Sequence, residues 1–239
     1  RLRKLELRIL NKADALVGMK SSEETVRKNI EIDPTKHFFF DIPGIIKPQH
    51  NELQRRDILK AEKINVVFSG ILSLPDRDPE YLIHTLNQTS FAEMLNLVFL
   101  CTGAGKNKLD ILQKSFRGNI SNLNYIPYKD MLSVYENADI LLNFGGRNPN
   151  MVPSKIFEYM SYGKPIISMY AIDNEASKTY LDKYPLAVCI DERADQATAI
   201  TQLESFLKEK VGKNVPFVDI EQYYPLNRPK VFSDLIMNL

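Results

Sequence analysis

The chain has 239 residues, 44% of them hydrophobic and 26% charged, enough for one large core or two small ones and too apolar for an unfolded tail. Its 31 basic and 30 acidic side chains leave a net charge of +1, which excludes a general electrostatic affinity for nucleic acid or an anionic membrane surface. Both cysteines, Cys101 and Cys189, lie in apolar runs, so neither a disulfide framework nor a cysteine-based metal site is expected.

No apolar run approaches the roughly 20 residues that span a bilayer, and the first residues lack a charged-then-apolar signal pattern; a cytoplasmic location is expected. The opening RLRKLELRILNKADALVGM reads as a basic amphipathic helix running into a short strand, and its start at Arg1 suggests a piece of a longer chain. Strands near Ala15 to Met19 and His37 to Ile42 should flank a helix from Ser22 to Ile30. The next stretch, DIPGIIKPQHNELQRRD, is rich in proline and charge, as a connection between domains should be.

Beyond it, short apolar runs alternate with amphipathic stretches, the pattern of βαβ units. Strands are expected at Ile64 to Gly70, Leu95 to Gly103, Asn122 to Tyr128, Ala138 to Phe144, Lys164 to Tyr170 and Pro185 to Asp191. Helices are expected near Glu80 to Phe91, Lys106 to Phe116, Lys129 to Asn137, Pro153 to Tyr162, Asn174 to Lys183 and Asp195 to Lys210. The fold class is therefore α/β, a Rossmann-like parallel sheet with helices on both faces. Residues 1–46 read as the remnant of a second α/β domain with its linker, 47–218 as the main domain, and 219–239 as a closing segment ending in the apolar helix PKVFSDLIMNL.

In an open parallel sheet, ligands bind outside the carboxyl ends of the strands. The densest loop there lies in FGGRNPNMVPSKIFEYMSYGKPII, Phe144 to Ile167, with two glycines, an arginine and two prolines ahead of the helix. Pro153 suits a first helical turn, and Ser154 and Lys155 place donors at the positive end of the helix dipole, which favours phosphate oxygens. Glu158 follows one turn after Ser154 on the same face, about 7.5 Å beyond Pro153 at about 1.5 Å per residue. A diphosphate at the helix mouth would leave its ribose beside Glu158, whose carboxylate can accept from two vicinal hydroxyls. Phe157 and Met160 should pack on the sheet. Tyr128, placed after the third strand, is a candidate to stack on a pyrimidine ring, with a core or rim position as the alternative.

The run Asn148 to Ile167 resembles the donor-site segment of GT-B fold glycosyltransferases, particularly the large retaining family 4, in which a P-S-K-x-F-E-Y-M-x-x-G-K-P type of run precedes a buried strand. VVFSGIL, with Gly70, resembles the first strand and glycine loop of that donor domain, LVFLCTGAG the next, and YIPYKDMLSVYENADILL the segment before the motif. The resemblance implies a Rossmann-like donor domain preceded by the end of an acceptor domain (residues 1–46). It further implies a nucleotide-sugar co-substrate, with UDP-sugar favoured, no bound metal, and a saccharide or lipid-linked acceptor in surface polysaccharide synthesis. Peripheral membrane association would come through the acceptor domain, and a chain holding so little of that domain should transfer nothing alone. Glu158 matches the ribose-binding glutamate, and the backbone of Met151, Val152, Pro153 and Ser154 matches the diphosphate-binding helix start. Two positions depart from the family pattern. Asn150 stands where a first glutamate near the donor sugar is common, and Ile71 where an arginine often follows the glycine. The compensating charge is assigned to Arg77 and Lys155, the residues expected to act in catalysis, with Arg147 as a further candidate; for Arg77 the alternative is a surface pair with Asp76 or Asp78.

TGAGKNK lacks the Walker spacing, because Leu100 and Asn107 occupy the positions of its first glycine and its Ser or Thr. His37, His50 and His84 have no metal-ligand spacing. Two alternatives stay open from the residues: a non-catalytic subunit that keeps the same shape, motivated by Asn150 and Ile71, and a sugar-nucleotide epimerase, whose paired carboxylates and histidine have no clear place here.

Overall fold

The computed structural model describes residues 2–20, 23–29, 33–49, 58–149 and 151–238. Helix α1 (Leu2–Lys12) leads into β1 (Leu16–Met19), and after α2 (Glu23–Asn29) comes β2 (His37–Phe40). The two strands form a small parallel sheet of their own, with Leu16 opposite His37 and Met19 opposite Phe40.

The main sheet has six strands, all parallel: β3 (Ile64–Ile71), β4 (Leu95–Thr102), β5 (Asn119–Leu123), β6 (Ile140–Phe144), β7 (Ile166–Tyr170) and β8 (Ala187–Asp191). Their spatial order is β5-β4-β3-β6-β7-β8, so chain direction across the sheet reverses between β3 and β6. Ligands of doubly wound folds bind at such a switch point.

Side chains alternate along each strand and feed two cores. Val66 and Phe68 of β3, Leu97 and Phe99 of β4, and Leu142 and Phe144 of β6 face one side. There α3 (Glu80–Asn87), α4 (Lys106–Leu112) and α8 (Gln196–Lys210) cover them with Leu82, Leu86, Leu109, Leu203 and Phe206. Val67, Val98, Leu141 and Ile166 face the other side. Their cover is α5 (Tyr128–Asn137), α6 (Lys155–Ser161), α7 (Lys178–Leu181) and α9 (Phe217–Tyr223), through Met131, Tyr135, Phe157, Met160, Leu181 and Ile220. The expected Rossmann-like sheet with helices on both faces is what the chain adopts.

Local differences from the sequence reading have physical causes. The third strand is not Asn122 to Tyr128 but Asn119–Leu123, an edge strand of the sheet. Pro127 lacks an N–H for a ladder and sits extended at φ −52°, ψ 142°, directly before the first turn of α5. Tyr128 therefore opens a helix instead of ending a strand. Helix α6 starts at Lys155, and α3 stops at Asn87, ahead of a short 3₁₀ turn at Ala92–Met94.

The segment after β2 docks across α6. Tyr180 donates to Asp41 Oδ1 at 3.0 Å, the Ile45 N–H donates to Asn227 O at 2.9 Å, and the Ile46 N–H to Ser161 Oγ at 3.2 Å. Gly44 permits the closest approach, since a Cβ there would stand 2.6 Å from Phe157 Cβ. The final helix α10 (Lys230–Met237) returns to the small sheet, where Phe232 meets Phe40 with ring centroids 4.8 Å apart. Among the described residues no helix is long and apolar enough to cross a membrane.

Candidate active site

Helix α6 carries the motif. Ile156, Phe157, Tyr159 and Met160 are buried, so the expected core roles of Phe157 and Met160 are seen, and Ser154, Lys155 and Glu158 are left toward the rim. The first turn is tight: the Ile156 N–H donates to Pro153 O and the Phe157 N–H to Ser154 O, both at 3.2 Å. Ser154 caps the helix without a side-chain hydrogen bond.

Two cavities meet at this turn. One, of about 550 Å³, is bounded by Tyr128, Leu132, Glu158 and Tyr162, and on its outer side by Gly44, Ile46 and Lys47 of the docked linker. The other, of about 250 Å³, opens at the switch point between β3 and β6 and is lined by Gly70, Arg77, Asn143, Phe144 and Pro153. Ser154 and Lys155 border both. Gly70, the penultimate residue of β3, sits at φ 151°, a backbone conformation that residues with side chains rarely adopt.

In the larger cavity Tyr128 OH donates to Glu158 Oε1 at 3.0 Å. Tyr128 is 56% exposed, and partial burial, together with the Glu158 carboxylate, raises its phenol above the usual range. In the smaller cavity Arg77 has no ion-pair partner among the described residues. The neighbouring acids are engaged elsewhere: Asp78 with Lys108 at 2.6 Å and Asp76 with Arg147 at 3.7 Å. Lys155 is half-buried, with Nζ donating to Ser69 Oγ at 2.7 Å and Tyr135 OH at 2.8 Å. Burial holds its pKa below the usual lysine range, opposed by the Glu158 charge. The two candidate catalytic cations thus differ: among the described residues Arg77 has no ion-pair partner, whereas Lys155 is turned toward the hydroxyls of Ser69 in β3 and Tyr135 in α5.

Of the other expected site residues, Met151 is 49% exposed and Val152 packs against the core beneath α5 and α6. Asn150 lies outside the described residues, as does His50. Ile71 is 56% exposed at the end of β3. His84 stands 3.8 Å from Glu80, and among the described residues no group of three or more His, Cys, Asp or Glu is placed to hold a metal. Sequence reasoning did not find Ser69, Tyr135 or the linker wall. For Tyr135 the available signal was a hydroxyl-bearing ring within the apolar face of α5.

A third cavity, of about 430 Å³, lies beside β8 and is lined by Asp78, His84, Arg147, Glu192 and Arg193, among others. Burial pushes the Glu192 carboxyl up from 4.5 to about 7, with Arg147 opposing. The folded chain thus holds this proton more tightly than the unfolded chain, and the resulting stability, full below the unfolded pKa, is lost as pH rises through the folded one. Urea denaturation should show Glu192→Gln losing less stability than the parent between about pH 5 and pH 8. An unchanged pH slope would contradict the assignment.

A family model described as glycosyl transferase-like matches residues 79–211, over half of the chain. The chain belongs to this family. A comparison with curated protein sequences found no match. Among solved structures, sucrose-phosphate synthase from Thermosynechococcus elongatus shares the fold at 16% identity and TM-score 0.61, over 98% of this glycosyltransferase-like chain and 59% of its own. HepE from Anabaena, solved in complex with UDP and glucose, aligns at 12% identity and TM-score 0.62, covering 99% of this chain and 66% of that one. The apo structure of OtsA aligns at 10% identity and TM-score 0.64, with 98% and 62% covered. At these identities the likeness is one of fold, that of GT-B glycosyltransferases, and the chain spans 59% to 66% of the length of these structures.

Proposed function

We propose that this chain is the donor-binding part of a glycosyltransferase that takes a nucleotide sugar, with UDP-sugar as the preferred donor, and passes the sugar to a saccharide or lipid-linked acceptor in surface polysaccharide synthesis. The observation that carries the reading is the meeting of two cavities at Ser154, with Glu158 and Tyr128 in one and, in the other, Arg77, which has no ion-pair partner among the described residues. A nucleotide laid across this seam places its ribose hydroxyls on Glu158, its base against Tyr128 and its diphosphate between Ser154 and Arg77. The UDP preference draws on the exposed Tyr128 as a stacking partner and on HepE, which was solved with UDP and with UDP-glucose. A cytoplasmic location and a boundary near residue 46 between acceptor and donor domains belong to the same reading.

In the transfer, the bond between the anomeric carbon and the β-phosphate oxygen breaks as a bond to an acceptor oxygen forms, and negative charge gathers on the departing diphosphate. On this reading Arg77, which lines the smaller cavity, stabilises that charge in a partly enclosed site, where electrostatic interactions are stronger than in water. Calorimetry with UDP and with uridine tests the assignment. Arg77→Ala should weaken UDP binding by about 1.5–3 kcal/mol, as for a hydrogen bond to a charged group, and leave uridine binding unchanged. Equal losses for the two ligands would contradict the placement of the diphosphate.

A further inference from the structure

We propose that Tyr135 and Ser69 are positioning residues that aim the Lys155 ammonium at a phosphate of the bound nucleotide, at the seam between the two cavities. The inference rests on the nucleotide-sugar reading above and deepens it. A lysine ammonium has three N–H donors and no acceptor. At Lys155 one goes to Ser69 Oγ at 2.7 Å and one to Tyr135 OH at 2.8 Å, with a further, long contact to the weak acceptor Met131 Sδ at 3.8 Å. No carboxylate lies within ion-pair distance of Lys155 among the described residues. The two hydroxyls orient the cation without neutralising it, and one donor is left without a strong acceptor. A half-buried cation without a counter-ion is unfavourable until an anion arrives, and Lys155 borders both cavities of the proposed nucleotide site.

The hydroxyls are themselves immobilised. Tyr135 is 0% and Ser69 2% exposed, and the two are hydrogen-bonded to each other. The Tyr135 ring meets Tyr159 edge-on at 5.2 Å, and the Ser69 N–H donates to Tyr159 OH at 3.3 Å. The Lys155 ammonium also lies 5.4 Å from the centroid of the Tyr135 ring. Three elements therefore converge on one nitrogen: the carboxyl end of β3 through Ser69, α5 through Tyr135, and α6 through Lys155 and, one turn later, Tyr159. This is an ammonium held in place before any ligand binds, so little ordering cost remains to be met on binding.

Tyr135→Phe keeps the ring and removes only the hydroxyl. Isothermal titration of the chain with UDP and with uridine should show this variant losing about fivefold in UDP affinity, because one of the two hydroxyls that orient the cation is gone while the cation itself stays, with uridine unchanged. In a Lys155→Met background the same change should have no further effect on UDP, because Tyr135 would act through a cation no longer present. Ser69→Ala, read in the same two backgrounds, gives the answer independently should Tyr135→Phe fold poorly. Equal losses for UDP and uridine, or the same loss with and without Lys155, would overturn the positioning role while leaving the nucleotide site standing. A parent chain that binds neither UDP nor uridine would overturn both.

Discussion

Replacing Glu158 by alanine is expected to weaken UDP binding by about 1.5–3 kcal/mol, the worth of hydrogen bonds to a charged group, and to weaken uridine binding by a similar amount, because the proposed contact is to the ribose. The fold should survive. Glu158 lies on the rim of α6 with Tyr128 as its hydrogen-bond partner, and nothing in the core is removed with it. The comparison with Arg77→Ala is the informative one. Loss of the ribose partner should affect both ligands, whereas loss of the diphosphate partner should affect only the one carrying a diphosphate. Calorimetry on the two variants separates the two ends of the nucleotide, and unchanged uridine affinity in Glu158→Ala would contradict the ribose assignment.

One residue earlier in the chain the expected outcome is the opposite. Phe157→Ala should cost about 3–5 kcal/mol of stability, the range for emptying a buried aromatic site. The ring is 0% exposed and meets Tyr180 edge-on at 4.9 Å. Gly44 of the linker rests directly against its Cβ. Tyr180 in turn holds Asp41, so the cavity left by the ring should also loosen the linker that forms the outer wall of the larger cavity. Urea denaturation followed by circular dichroism measures the loss. A change below about 1 kcal/mol would show that the linker does not depend on this packing.

Much of the fold was legible because parallel strands covered on both faces read as continuous apolar runs. INVVFSG, LNLVFLC and ADILLNF needed no partner to be recognised. The third strand failed for the complementary reason: β5 is an edge strand, NISNL, with only Ile120 buried, and the neighbouring YIPY looked more strand-like than the true segment. Glu158 was legible as a carboxylate set between residues that had to be buried, in a helix following a loop longer than the turn required. The direction of the Lys155 side chain was not, since it depends on acceptors 86 and 20 residues away, and no local pattern encodes them. The linker wall was hidden for the same reason. The Ile46 contact with Ser161 spans 115 residues, and a stretch rich in proline and charge carries no mark of what it lies across.

The most direct test of the nucleotide-site assignment is a crystal of this chain soaked in a mixture of UDP, GDP and ADP. UDP is expected across the first turn of α6, with its ribose hydroxyls on Glu158, its base against Tyr128 and its diphosphate between Ser154 and Arg77. A nucleotide bound elsewhere, or bound here with its phosphates turned away from Arg77, would contradict it.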